Sequence, residues 1–137
     1  MCPMTTTQAT GTFEIDSWDD QIYDDAEGAK LGRTRLTKTF QGDLVGTSVV
    51  DMTGVSVPAE DTGEFQGVAY VAVEKVTGSV HGRKGGFVLT HVAGAAHGMK
   101  VAVVPGSATG ELRGLTGEIR IDRHEDGSHN YTLEYGT

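Results

Sequence analysis

The sequence predicts an all-β protein of about eight short strands, paired antiparallel and arranged as a sandwich or a closed barrel. Three observations predict it. No long segment repeats with the 3.6-residue period of an amphipathic helix. The apolar stretches are short, rich in Val, Thr, Ile and Tyr, and end at Gly, Asp or Pro. Several of them alternate, so one face of each strand is buried and the other is wet.

In chain order, strands are expected at residues 11–18, 33–41, 45–53, 66–76, 78–80, 86–93, 99–104, 115–123 and 130–135. In the first, Phe13 and Ile15 face in while Thr12, Glu14 and Asp16 face out. Ile119 and Ile121 repeat the scheme against Glu118, Arg120 and Asp122, and Tyr131, Leu133 and Tyr135 against Thr132 and Glu134. Gly42-Asp43, Gly82-Arg83-Lys84-Gly85 and Asp126-Gly127 read as hairpin turns, since tight turns need positive φ. Connections this short favour antiparallel neighbours. The acidic segment 19–32 and the segment 57–63 read as surface loops. Residues 107–114 interrupt the strands, with room for one helical turn at Gly110-Glu111-Leu112-Arg113. Full closure of such a sheet would remove its edges.

The 137 residues fit one domain, with residues 1–10 as a flexible segment and 11–137 as the folded unit. A net charge of −8 repels phosphate backbones, and no basic stripe with interleaved aromatics appears, so nucleic acid is not an expected partner. The lone Cys2 cannot close an internal disulfide. No apolar run approaches the roughly 20 residues of a membrane helix, and the start has no secretory pattern. No membrane is expected as a partner, and the expected address is the cytoplasm.

The most informative stretch runs Gly78-Ser79-Val80-His81-Gly82-Arg83-Lys84-Gly85-Gly86-Phe87-Val88-Leu89-Thr90-His91. It reads as strand, turn and strand, with Phe87, Leu89 and His91 on one face. In a barrel that face would put an imidazole in the wall of a cavity. Glu74 follows Val68, Tyr70 and Ala72 on one face of a strongly apolar strand. A carboxylate there is costly unless paired. If the two faces converge, Glu74 orients His91 or exchanges a proton with it, which makes the two residues the catalytic candidates. Otherwise Glu74 lies on the outer face, or the two form a purely structural buried pair.

Trp18 breaks the outward series of the first strand, and would either cap a barrel mouth and stack on a ligand or cover a core edge. Tyr70 and Tyr131 carry the same alternatives. Arg35, with Arg33, would either hold a carboxylate inside a cavity or pair with surface acids. With Phe87 and Leu89, these complete the ligand-binding candidates: Trp18, Arg35, Tyr70, Phe87, Leu89 and Tyr131. His124 and His129 bracket an acidic turn, but zinc needs three or four converging ligands, and the acidic run 19–27 lacks a calcium-loop spacing, so no metal site is expected. No phosphate loop, dinucleotide fingerprint or Gly-x-Ser-x-Gly elbow is present. These absences argue against nucleotide, flavin and hydrolase-triad chemistry.

Four further segments carry a resemblance. They are Gly11-Thr12-Phe13-Glu14-Ile15-Asp16-Ser17-Trp18-Asp19, Glu74-Lys75-Val76-Thr77-Gly78 with the glycine-rich stretch after it, Val104-Pro105-Gly106-Ser107-Ala108-Thr109-Gly110-Glu111-Leu112-Arg113-Gly114-Leu115-Thr116-Gly117, and Tyr131-Thr132-Leu133-Glu134-Tyr135. In this order they resemble a small bacterial family of domains of unknown function. That family is similar to the allene-oxide-cyclase-like and dirigent barrels, whose late Gly-Thr-Gly-Glu-type loop reads Ala108-Thr109-Gly110-Glu111 here. The resemblance implies an eight-stranded antiparallel closed barrel, allene-oxide-cyclase-like, with a central cavity, no cofactor and a tendency to form homo-oligomers. Two functions fit. One is a binding barrel for a small, largely apolar metabolite, with Phe13, Ile15, Phe87, Leu89, Ile119 and Leu133 on its inner face. The other is a cofactor-independent cyclase or isomerase that folds an apolar intermediate inside the barrel. A barrel packed solid by its own side chains would do neither.

Overall fold

The computed structural model describes residues 6–96 and 98–137, so Cys2 and His97 lie outside the described residues. Eight strands close into one barrel in sequence order: β1 (Thr7–Asp24), β2 (Lys30–Gly42), β3 (Leu44–Pro58), β4 (Phe65–Val80), β5 (Arg83–Gly94), β6 (Gly98–Val103), β7 (Thr116–Arg123) and β8 (His129–Gly136). All neighbours are antiparallel, and β1 closes the ring on β8. The 3₁₀ turn expected between the last strands is present at Gly110–Leu112.

The strands are longer than the sequence suggested. The acidic segment 19–32, expected to be a loop, is mostly hairpin: β1 and β2 stay paired to Asp24↔Leu31. Its acids sit on strands because one side of this sheet stays wet, where charge costs nothing. β4 runs unbroken through Thr77, where two strands were expected, and the β4–β5 turn tightens to His81-Gly82, both at positive φ. Likewise β3 continues to Pro58, which shortens the second expected loop to residues 59–64. At the N-terminus β1 begins at Thr7, within the segment left outside the barrel. Thr7 pairs with Tyr135, and Ala9 is fully buried.

One half of the barrel is packed solid. Phe13, Phe40, Leu44, Val76, Val80, Phe87, Leu89, Leu133 and their neighbours fill it, and Leu112 and Leu115 from the late loop plug its end. Closure there depends on glycine. A Cβ on Gly85 would lie 2.0 Å from the Thr109 carbonyl oxygen, so only glycine lets the plug reach β5.

The other half is built differently. β8 pairs with β1 only as far as Phe13↔His129, while β1 continues to Asp24. β6 and β7 share only two register pairs, Val101↔Ile119 and Ala102↔Glu118. Beyond that level the wall consists of the long β1–β2 and β3–β4 hairpins with the end of β5, and the lumen opens into a cup. Among the described residues, no helix is long and apolar enough to cross a membrane.

Candidate functional site

The site begins with a fault in β1. Ile15 pairs with Lys38, and then Ser17 pairs with Thr37, so Asp16 is an extra residue, a bulge. Cross-strand partners share a face, and a one-residue insertion reverses the faces beyond it. Trp18 therefore stands opposite the buried Leu36 and turns toward the lumen, as do Asp20 opposite Thr34 and Ile22 opposite Gly32. Ile15 points to the lumen side but is 39% exposed, because β8 ends before reaching it. The simple alternation assigned to this strand thus holds as far as Ile15, and the bulge at Asp16 ends it.

These side chains, with Met52 and Val55 of β3, Phe65, Val68 and Tyr70 of β4 and Ala93 of β5, line a cavity of about 650 Å³. Its walls are mainly apolar, and Trp18, Ile22 and Phe65 are 53%, 60% and 42% exposed. Within it the Thr34 hydroxyl donates to the Asp20 carboxylate at 2.5 Å. At the rim, the Lys30 ammonium lies 3.9 Å from the centre of the Phe65 ring, and Arg33 stacks over Tyr23.

A polar layer separates the cup from the solid core. On β2 Lys38 sits inward between Leu36 and Phe40, and on β4 Glu74 sits between Ala72 and Val76. On β3 Ser48 precedes Val50, and on β5 His91 follows Leu89. All four are buried. Glu74 gathers the other three: its Oε1 accepts from His91 Nε2 at 2.7 Å and Lys38 Nζ at 3.3 Å, and its Oε2 accepts from Ser48 Oγ at 2.6 Å. Lys38 Nζ also rests 4.5 Å from the centre of the Phe13 ring. Burial would raise the Glu74 pKa, but the His91 hydrogen bond, the Lys38 charge and the Ser48 hydrogen bond outweigh it and hold the carboxyl below its ordinary range. Tyr70 stands above this layer, its ring centre 6.4 Å from that of His91. Burial, helped by the Glu74 charge, pushes its phenol up, so it stays a neutral hydroxyl. His129 stacks on Phe13 at 4.9 Å, and burial with nearby Arg123 and Lys38 lowers its pKa.

The structure thus brings Glu74 and His91 into contact and places Trp18 and Tyr70 in the cavity wall. Three other candidates belong to the solid half. Phe87 and Leu89 are closed in by core neighbours. Tyr131 is a structural tie: its hydroxyl accepts from the Leu44 amide at 2.9 Å and lies 2.9 Å from the Gln41 carbonyl oxygen. Arg35 faces outward, opposite Asp19 on β1 and Asp51 on β3, because β2 places Thr34, Leu36 and Lys38 inward instead. Lys38 and Ser48 were missed. The signal that exposed Glu74, a polar residue inside an inward apolar series, was equally present at Leu36-Thr37-Lys38-Thr39-Phe40. Among the described residues no group of three or more His, Cys, Asp and Glu side chains is placed to hold a metal ion.

A closed antiparallel eight-stranded barrel with one solid end, one open apolar cup and a buried ionic layer between them defines the class. Residues 9–135 match the model of a family described as a protein of unknown function, DUF3224, and the chain belongs to that family. It is similar to a crystal structure of a DUF3224 protein of unknown function from Shewanella oneidensis MR-1. The two share 32% identity at a TM-score of 0.82, over 96% of this chain and 98% of that one. No curated protein matches the chain.

Proposed function

We propose that the protein binds a small, largely apolar metabolite in the cup. The observation that carries this reading is the set of large apolar side chains left exposed on the inner face, Trp18, Ile22 and Phe65 above all, around about 650 Å³ of space. Exposed apolar surface gathered in a concavity is the ordinary mark of a ligand site. The allene-oxide-cyclase-like and dirigent barrels it resembles enclose apolar molecules too. Trp18 is the only tryptophan, so its emission reports directly on the cup. Titration with a panel of lipophilic compounds, followed by Trp18 emission and thermal shift, tests the reading. Saturable quenching is expected, and a panel that changes neither signal would overturn it.

A second reading is favoured by the buried Glu74–His91 pair. A carboxylate hydrogen-bonded to an imidazole at 2.7 Å is the geometry that orients and polarises a general base. On this reading the cup folds an apolar intermediate against His91, and the protein is a cofactor-independent isomerase or cyclase. Once a turned-over substrate is in hand, His91→Ala is expected to abolish turnover while leaving binding in the cup. Retained turnover would leave only the binding function.

A further inference from the structure

Glu74 decides which nitrogen of His91 carries a proton. An ionised carboxylate only accepts hydrogen bonds, so Nε2, 2.7 Å from Oε1, must be the donor. An imidazole with a single N–H, placed there, carries its lone pair on Nδ1. Nδ1 makes no hydrogen bond to any described residue. Yet no sealed side-chain nitrogen or oxygen among the described residues lacks a partner, so Nδ1 meets open space. His91 lies just beneath the residues that line the cup: Ala93, the next inward residue of β5, and Tyr70, whose ring lies 6.4 Å from the His91 ring, both belong to that lining, so the space nearest the ring is the cup's inner end. In the cavity wall the Thr34 hydroxyl is already committed to Asp20 Oδ1. The inner end of an apolar cup therefore presents an unanswered acceptor.

We infer that the cup selects apolar ligands bearing one weakly acidic hydroxyl, phenols and stable enols, whose O–H donates to His91 Nδ1. The inference rests on the binding reading above and adds the ligand class. A ligand with acceptors only, such as an ether, would bury the Nδ1 lone pair unpaired, and sites built to hydrogen-bond a hydroxyl reject analogues that lack it. The Tyr70 phenol, kept neutral, adds no negative charge against the ligand oxygen.

The test compares para-butylphenol with its methyl ether by calorimetry, on the wild type and on His91→Phe. The ether is the more apolar of the two, so area alone favours it. The wild type is expected to bind the phenol about tenfold more tightly, the value of one good hydrogen bond. In His91→Phe the ring remains but the acceptor is gone, and the preference for the phenol is expected to vanish or invert. If the wild type binds both compounds equally, the inference falls and the cup remains a binding site; if neither binds, both readings fall. Nitrogen-15 spectra of the wild-type histidines give an answer even if the variant does not fold. A proton on Nε2 of His91, with Nδ1 shifting on phenol addition, supports the assignment, and a proton on Nδ1 overturns it.

Discussion

At Glu74 four residues from four adjacent strands settle their charge on one carboxylate. Removing the partner at the centre of a buried ion pair leaves uncompensated charge, which costs about 3–5 kcal/mol. Glu74→Gln is therefore expected to lose stability of that order, read by urea unfolding at neutral pH. The pH dependence has a definite sign. The folded pKa of Glu74 lies below its ordinary value of 4.5, so the group stabilises the protein above that value, and the contribution is lost as pH falls through the folded pKa. The acid limb of the wild-type stability curve should be steeper than that of Glu74→Gln, and parallel curves would contradict the assignment. Tyr131 supplies a simpler case. Tyr131→Phe strands the buried Leu44 amide and removes the donor to the part-buried Gln41 carbonyl, and should cost about 1–3 kcal/mol by the same measurement.

Among the elements, β1 decides the site. Its bulge at Asp16 converts a strand that would show Ser17, Asp19 and Gln21 to the lumen into one that shows Trp18, Asp20 and Ile22. Deleting Asp16 restores the simple alternation, turns Trp18 outward, and is expected to abolish any ligand-induced change in Trp18 emission while the solid half stays folded. The plug is an element-scale device of the opposite kind. Gly85→Ala sets a methyl against the Thr109 carbonyl and should cost about 1–3 kcal/mol, seen as a lower unfolding midpoint.

For the whole molecule, unequal strand lengths explain why one barrel has both a core and a cavity. Where all eight strands run together, inward side chains meet across the lumen and exclude water. Where β7 and β8 have ended, the long hairpins have nothing opposite them. Ligand binding to this open half should raise thermal stability by mass action, by about 2.7 kcal/mol at a hundredfold excess over Kd. The check is whether the midpoint keeps climbing with the logarithm of ligand concentration.

Residue pattern alone determined the all-β class, most strand positions, the late 3₁₀ turn and the oddity of Glu74 and His91, because alternation and turn chemistry act over a few neighbouring residues. Only the tertiary structure decided the rest. Which inward residues fill a core and which line a void depends on whether a strand from the far end of the chain stands opposite. That is why Phe87 and Tyr131 belong to the packing and Trp18 to the cup. Arg35 and Lys38 lie on opposite faces of one strand, and only the register against β1 and β3 shows that the lysine is the buried cation. The bulge left no mark in local composition, since one extra residue reverses a face without changing the residues on either side of it.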